Sequence, residues 1–133
     1  MVRFDALRYA ALAFAIGLAV HGVDHAVRGF DVVSGEVAVA GNVQLVAAMV
    51  TVALVFLGHR FAPIAAILIG AGSALGFSAA HLLPAWSVLS DSFITPAPGV
   101  TAFSWVTALL EIGTALVFAV VGARQLRTAP ATA

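Results

Sequence analysis

"FAPIAAILIGAGSALGFSAAHLL", residues 61–83, contains no Asp, Glu, Lys or Arg. A helix that crosses the hydrocarbon core of a bilayer needs about 20 consecutive, mostly apolar residues. This stretch meets that length without a break. Its Pro63 falls in the first helical turn, where a missing amide hydrogen leaves no bond unmade. The segment reads as a transmembrane helix, and the rest of the chain is read outward from it.

Composition agrees with that reading. Of 133 residues, 62% are hydrophobic and 9% charged, whereas a soluble domain carries about a quarter charged residues. The mean hydropathy of +1.11 leaves too little polar surface to wrap a water-soluble globule. Three more segments qualify as spans, at residues 4–26, 37–58 and 100–123. The first is the shortest in its apolar run, Tyr9 to Val20, and "MVRFDALR" before it resembles the charged start of a signal peptide. The following "LAVHG" lacks the small residues of a cleavage site, so the segment is expected to be retained. The expected fold is an all-α integral membrane protein, one domain over residues 1–133, folded as an antiparallel four-transmembrane-helix bundle.

Arginine placement sets the expected orientation. Arg3, Arg8, Arg60, Arg124 and Arg127 fall on one side of four spans, while the other side carries Arg28 against Asp31, Glu36 and Asp91. By the excess of positive charge on cytoplasmic segments, both termini lie in the cytoplasm of a cell (inner) membrane. The loops "VRGFDVVSGE" and "PAWSVLSDSFITPAPG" then face outward. Pro84, Pro96 and Pro98 limit helix in the second. Its Ser87, Ser90, Asp91 and Ser92 are expected to cap a short interfacial helix, with gating of a pocket as the alternative. Arg28 is expected to pair locally with Asp24 or Asp31. All six basic residues are arginine in an Ala-, Val- and Gly-rich chain, which suggests a bacterial source. The absence of cysteine excludes disulfides and thiolate metal sites, and zero net charge argues against nucleic acid. The expected partners are the lipid bilayer and either a second copy of the chain or a larger membrane complex.

Each span carries one stripe of small and polar residues at helical spacing. They are Ala10, Ala13, Gly17, His21, Asp24, His25 and Arg28, interrupted by Phe14; Gly41, Gln44, Ala48, Thr51 and Val55; Gly70, Ala74, Ser78 and His81; and Ser104, Thr107, Glu111, Thr114, Phe118 and Gly122. Small residues let helices approach in lipid, and polar groups escape hydrocarbon by facing one another. "GAGSALG", residues 70–76, is read the same way, with Gly72 and Gly76 as helix-packing positions. An offset of 60 residues aligns His21 with His81 and Asp31 with Asp91, but too few identities accompany it to indicate a duplication.

At about 1.5 Å per residue, Glu111 lies about 15 Å below the outer end of its span, Gln44 about 10 Å, His21 about 5–8 Å and His81 about 3 Å. Together with Asp24 and His25 they occupy the outer half of one bundle interior, lined further by Thr51, Ser78, Ser104 and Thr107. A carboxylate at mid-membrane is expensive unless paired or protonated, and is a functional candidate by default. The structural alternative for Glu111 is a helix-gluing bond to Gln44 or Thr107. His21 and His25, at i and i+4, project two imidazoles from one face, a spacing used for metal chelation on helices. His81 adds a third from another helix, Asp24 and Glu111 can support, and the cofactor expected is a divalent metal ion or, with two axial histidines, haem. Two other readings compete with metal or haem binding: an accessory subunit whose polar core is structural, and a small proton-coupled transporter that uses Glu111. No nucleophile–base pair marks the chain as an enzyme.

Overall fold

The first helix starts where Asp5 accepts a hydrogen bond from the Arg8 amide at 3.0 Å, the N-cap geometry that satisfies an otherwise orphaned donor. The computed structural model describes residues 5–128; the expected start of the first span at residue 4, and Arg3, lie outside them. Helix α1 runs Ala6–Arg28, α2 Gly35–Phe56, α3 Ala62–His81 and α4 Ala102–Thr128. All four are long and apolar enough to cross a membrane, and there is no strand among the described residues. Gly29, at φ 95°, ends α1, so Arg28 belongs to its last turn. A 3-10 turn, Phe30–Val32, follows; the sequence pattern gave no sign of it. Ser34 then caps α2 by accepting from the Val37 amide at 3.1 Å.

Side-chain pairings fix the arrangement. Along α1 and α4, Phe14 stacks on Phe118 with centroids 5.3 Å apart, Gly17 meets Glu111 and Thr114, His21 meets Thr107 and Asp24 meets Ser104. Rising numbers on one helix meet falling numbers on the other, so the pair is antiparallel. Gly70 against Ala115 and Ala119, and Gly122 against Pro63 and Ala66, show the same for α3 and α4. Helix α2 closes the bundle by touching α1 and α3. Its buried residues, Ala48, Thr51 and Val55, all lie in the half nearer the Gly58 turn. The other half of α2 has no buried residue and meets α3 through Gln44, which donates to Ser73.

The packing is inverted relative to a soluble bundle. The interior is rich in alanine, with Ala11, Ala48, Ala66, Ala108 and Ala115 each at 0% exposure, while Leu57, Leu68, Leu75 and Val27 are exposed. Small residues that allow close van der Waals contact stand between the helices, the pattern expected of helices packed in lipid, where burying a leucine brings little hydrophobic gain. Phe14, which interrupts the expected stripe on α1, fills the core together with Phe118.

The glycines divide into two groups. A Cβ on Gly70 would lie 2.7 Å from the Ala115 carbonyl oxygen, and one on Gly122 would lie 2.8 Å from that of Pro63. Gly72 and Gly76, expected to pack helices, do not: a Cβ at either meets nothing within 4 Å. Gly70→Ala is therefore expected to lower the melting temperature by pushing α3 off α4. Gly72→Ala should leave it unchanged or raise it, since alanine is favoured over glycine within a helix by about 0.5–1 kcal/mol. Thermal melts of the two variants in detergent check the contrast.

Candidate metal centre

Helix α3 ends at His81, seven residues short of the level that α1 reaches, since His81 contacts His21 and α1 continues to Arg28. At about 1.5 Å per residue this step is about 10 Å high. The segment 82–101, which contains no helix, fills it. Its chain folds back onto the end of α3: the Asp91 amide donates to the Ala80 carbonyl at 3.1 Å and the Phe93 amide to that of His81 at 2.9 Å. Ser92 Oγ donates to the Leu83 carbonyl at 2.6 Å, and Trp86 Nε1 to that of Ala79 at 2.8 Å. Phe93 lies against the His81 ring at 4.6 Å. His81 is consequently 2% exposed although it is the last residue of its helix. The expected short interfacial helix is absent. Ser90 and Ser92 accept amide hydrogens within turns instead, which the three prolines of the loop permit.

Asp91, expected to cap a short helix or gate the pocket, pairs with Arg28 instead. Its carboxylate accepts two hydrogen bonds from Arg28, Nη1 at 2.7 Å and Nη2 at 2.8 Å, and both side chains are about 1% exposed. The local partners expected for Arg28 are secondary or missing: Asp24 is 3.7 Å away, and Asp31 is exposed. Burial pushes the Asp91 carboxyl up, but the hydrogen bonds and charge of Arg28 outweigh it and hold the group below its ordinary value. Nothing in spacing signals this pair, because it joins residues 63 apart in sequence.

Inside this seal stand the three histidines. The rings of His21 and His25 are 4.8 Å apart, those of His21 and His81 5.0 Å, and those of His25 and His81 6.1 Å. Each offers one nitrogen, and these three atoms lie within 4.8 Å of one another. The hydrogen bonds around them fix two tautomers. His81 Nδ1 lies 2.9 Å from the Asp91 carbonyl oxygen, which can only accept, so Nδ1 carries the hydrogen. Thr107 Oγ1 donates its hydrogen to the Ser104 carbonyl at 3.0 Å. Toward His21 Nδ1, at 3.4 Å, it can therefore only accept. In both neutral imidazoles Nε2 keeps its lone pair, the arrangement seen when a second group orients a metal-binding histidine.

The other sequence-assigned residues divide. Glu111, fully buried on α4, has Oε2 3.8 Å from His21 Nε2, and neither of its oxygens has a hydrogen-bond partner. The expected gluing bonds to Gln44 or Thr107 are not formed: Gln44 Nε2 donates to Ser73 Oγ at 2.8 Å. Asp24 turns to α4, where Ser104 Oγ donates to its Oδ1 at 2.7 Å; it lies outside the histidine cluster. Thr51 donates to the Ala47 carbonyl of its own helix at 2.8 Å, and neither it nor Ser78 reaches the cavity described next. Ser73 and Phe77 belong to the site face of α3, where the expected stripe placed Ala74 and Ser78. Gly70, Ala74 and His81 of that stripe are buried as expected, while Ser78 is half-buried.

Along the half of α2 that begins at Gly35, a cavity of about 470 Å³ opens between α1, α2 and α3. His21, His25, His81, Glu111 and Gln44 line its polar end; the rest of the wall is largely apolar. No family model, curated protein or solved structure matches the chain.

Proposed function

We propose that the chain is a multi-pass membrane protein that binds a divalent metal ion through His21, His25 and His81 in the outer half of its bundle. The observation that carries this reading is the convergence of three imidazole nitrogens within 4.8 Å, on two helices. In a tetrahedral zinc site with bonds of about 2.0–2.1 Å, ligand nitrogens lie about 3.3 Å apart, so small side-chain rotations close the set.

Three features support a metal over the rival readings. The buried His21 Nε2, His25 Nδ1 and both Glu111 oxygens have no hydrogen-bond partner. A polar core that served only to join helices would leave few such groups. A cation among them would satisfy several at once, with Glu111 beside His21 as a charge-balancing carboxylate. The donor set is all imidazole and carboxylate, which suits zinc and other first-row divalent ions. Haem fits less well: the one pair spaced for axial ligation, His25 and His81 at 6.1 Å, has the His21 ring 4.8 and 5.0 Å from its two members, where a macrocycle would lie.

Titrating Zn²⁺ into chelator-washed protein in detergent tests the reading. Because the ion binds only the folded bundle, a concentration of 100 Kd should add about 2.7 kcal/mol and raise the melting temperature. A melting curve unmoved by Zn²⁺, Cu²⁺, Ni²⁺ and Fe²⁺ sinks it. The arginines further support cytoplasmic termini and an outward-facing site. Reporter fusions after residue 133 and at Arg60 should read as cytoplasmic and one between Ser90 and Pro96 as external; an external reading at residue 133 reverses the orientation.

A further inference from the structure

The cavity is larger and more apolar than a metal ion requires. Gly22 of α1, Gly41 of α2 and Gly72 and Gly76 of α3 all line it, and a Cβ added at any of them meets nothing within 4 Å. Glycine weakens a helix interior, and at Gly17, Gly70 and Gly122 close contact with a neighbouring helix accounts for it. At the four cavity positions no neighbouring side chain or backbone uses the space. Gly35 and Gly113 are similarly open but do not line the cavity, so the four glycines are distinguished by the one volume they border. That volume is within the range of small-molecule pockets, roughly 300–1,000 Å³.

The polar end selects the head group. The buried groups aimed at the cavity without a hydrogen-bond partner are dominated by acceptors, namely the two oxygens of Glu111 and Nε2 of His21. Their residues are 0% and 3% exposed. The nearby donors are already engaged, with His21 Nδ1 on Thr107 and His81 Nδ1 on the Asp91 carbonyl. No arginine or lysine lines the wall. A carboxylate or phosphate head would find no cation there and would face Glu111. A head that donates hydrogen bonds and carries positive charge matches every open group. Phe30, Trp86 and Leu89, exposed at the outer end, rim the cavity and give an apolar chain a way in from the outer interface.

We infer that this cavity binds a lipophilic amine, its ammonium group seated among Glu111, His21 and His25 and its hydrocarbon chain lying along the four open glycines. The inference does not need a bound metal. The two ligands share the lone pair of His21, so they compete.

The test uses metal-free, chelator-washed protein in phosphatidylcholine nanodiscs, titrated calorimetrically with n-decylamine, n-decanol and decanoate, which share one chain length. Saturable binding of decylamine near one per protein is expected, with decanol and decanoate weaker by roughly tenfold or more. Glu111→Gln should lose roughly tenfold or more of the decylamine affinity while melting like wild type. Gly72→Leu with Gly76→Leu fills the space and should abolish binding; if that variant does not fold, Gly41→Leu fills it from α2. Zn²⁺ should displace the amine. Equal binding of decanol, or undiminished binding in a folded cavity-filled variant, overturns the inference, as does no binding to folded wild type. Amine binding without any Zn²⁺ binding would refute the metal reading alone, and Zn²⁺ binding without amine binding would refute this one alone.

Discussion

Replacing His21 by alanine is expected to remove most metal binding from the protein while leaving the bundle folded. His21 stands between the other two histidines, 4.8 Å from the His25 ring and 5.0 Å from that of His81. It is also the one that meets Glu111. Losing a hydrogen-bond partner of a metal ligand typically costs roughly 10–100-fold in affinity, and losing the ligand itself should exceed that. His81→Ala is expected to behave alike. His59→Ala is the control: His59 accepts from the Phe61 amide at 3.3 Å in the turn between α2 and α3, at the other end of the bundle, and should lose nothing. Competition against a colorimetric zinc chelator measures all three. Wild-type affinity in His21→Ala would remove the triad from the account.

The largest stability effect is expected at Asp91. Its two hydrogen bonds from Arg28 join the 82–101 loop to the end of α1, and both side chains are about 1% exposed. Removing one partner of a buried, hydrogen-bonded ion pair leaves the other charge uncompensated, at about 3–5 kcal/mol. Asp91→Asn should unfold at markedly lower denaturant concentration than wild type. Arg28→Met with Asp91→Leu should lose less than Asp91→Asn, because both charges of the bidentate pair are then removed and only Asp24, which keeps its hydrogen bond from Ser104, is left beside them. The pH dependence follows from the sign of the shift. The Asp91 carboxyl is held below its ordinary value of 3.8 in the folded protein, so its contribution is complete above that pH and is lost only as the pH falls below it. Stability should not weaken on this account between neutrality and pH 5. A double variant no better than Asp91→Asn would contradict the assignment.

The Asp91 backbone carbonyl also accepts from His81 Nδ1, so the loop seal and the metal centre are coupled. Asp91→Asn should weaken Zn²⁺ binding within the range of roughly 10–100-fold expected for a disturbed supporting group.

What could be read from the sequence follows from periodicity and depth. Apolar runs located four helices to within a few residues, because a span must be about as long as the hydrocarbon is thick. The spacing of His21 and His25 put them on one face, and depth brought His81 and Glu111 to the same half. Two parts of the site were not legible. The loop from 82 to 101 has no periodicity, so the fold-back that buries His81 and brings Asp91 to Arg28 leaves no trace in a pattern of residue types. The cavity beside α2 was hidden for a different reason. Gly41, Gly72 and Gly76 look the same in sequence whether a helix packs on them or a cavity opens beside them. Only the contacts of Gly70 and Gly122 against those of Gly72 and Gly76 separate the two cases. On α3 the stripe rightly buried Gly70, Ala74 and His81, but it put Ser78 on the site and left Ser73 off it.

The central claim is that three histidines hold one ion. X-ray absorption at the zinc edge of the Zn²⁺-loaded protein measures this most directly. The account predicts a shell of nitrogen or oxygen neighbours at about 2.0–2.1 Å, with the outer-shell scattering of three imidazoles, falling to two in His81→Ala. A shell of oxygens with one imidazole or none would contradict it.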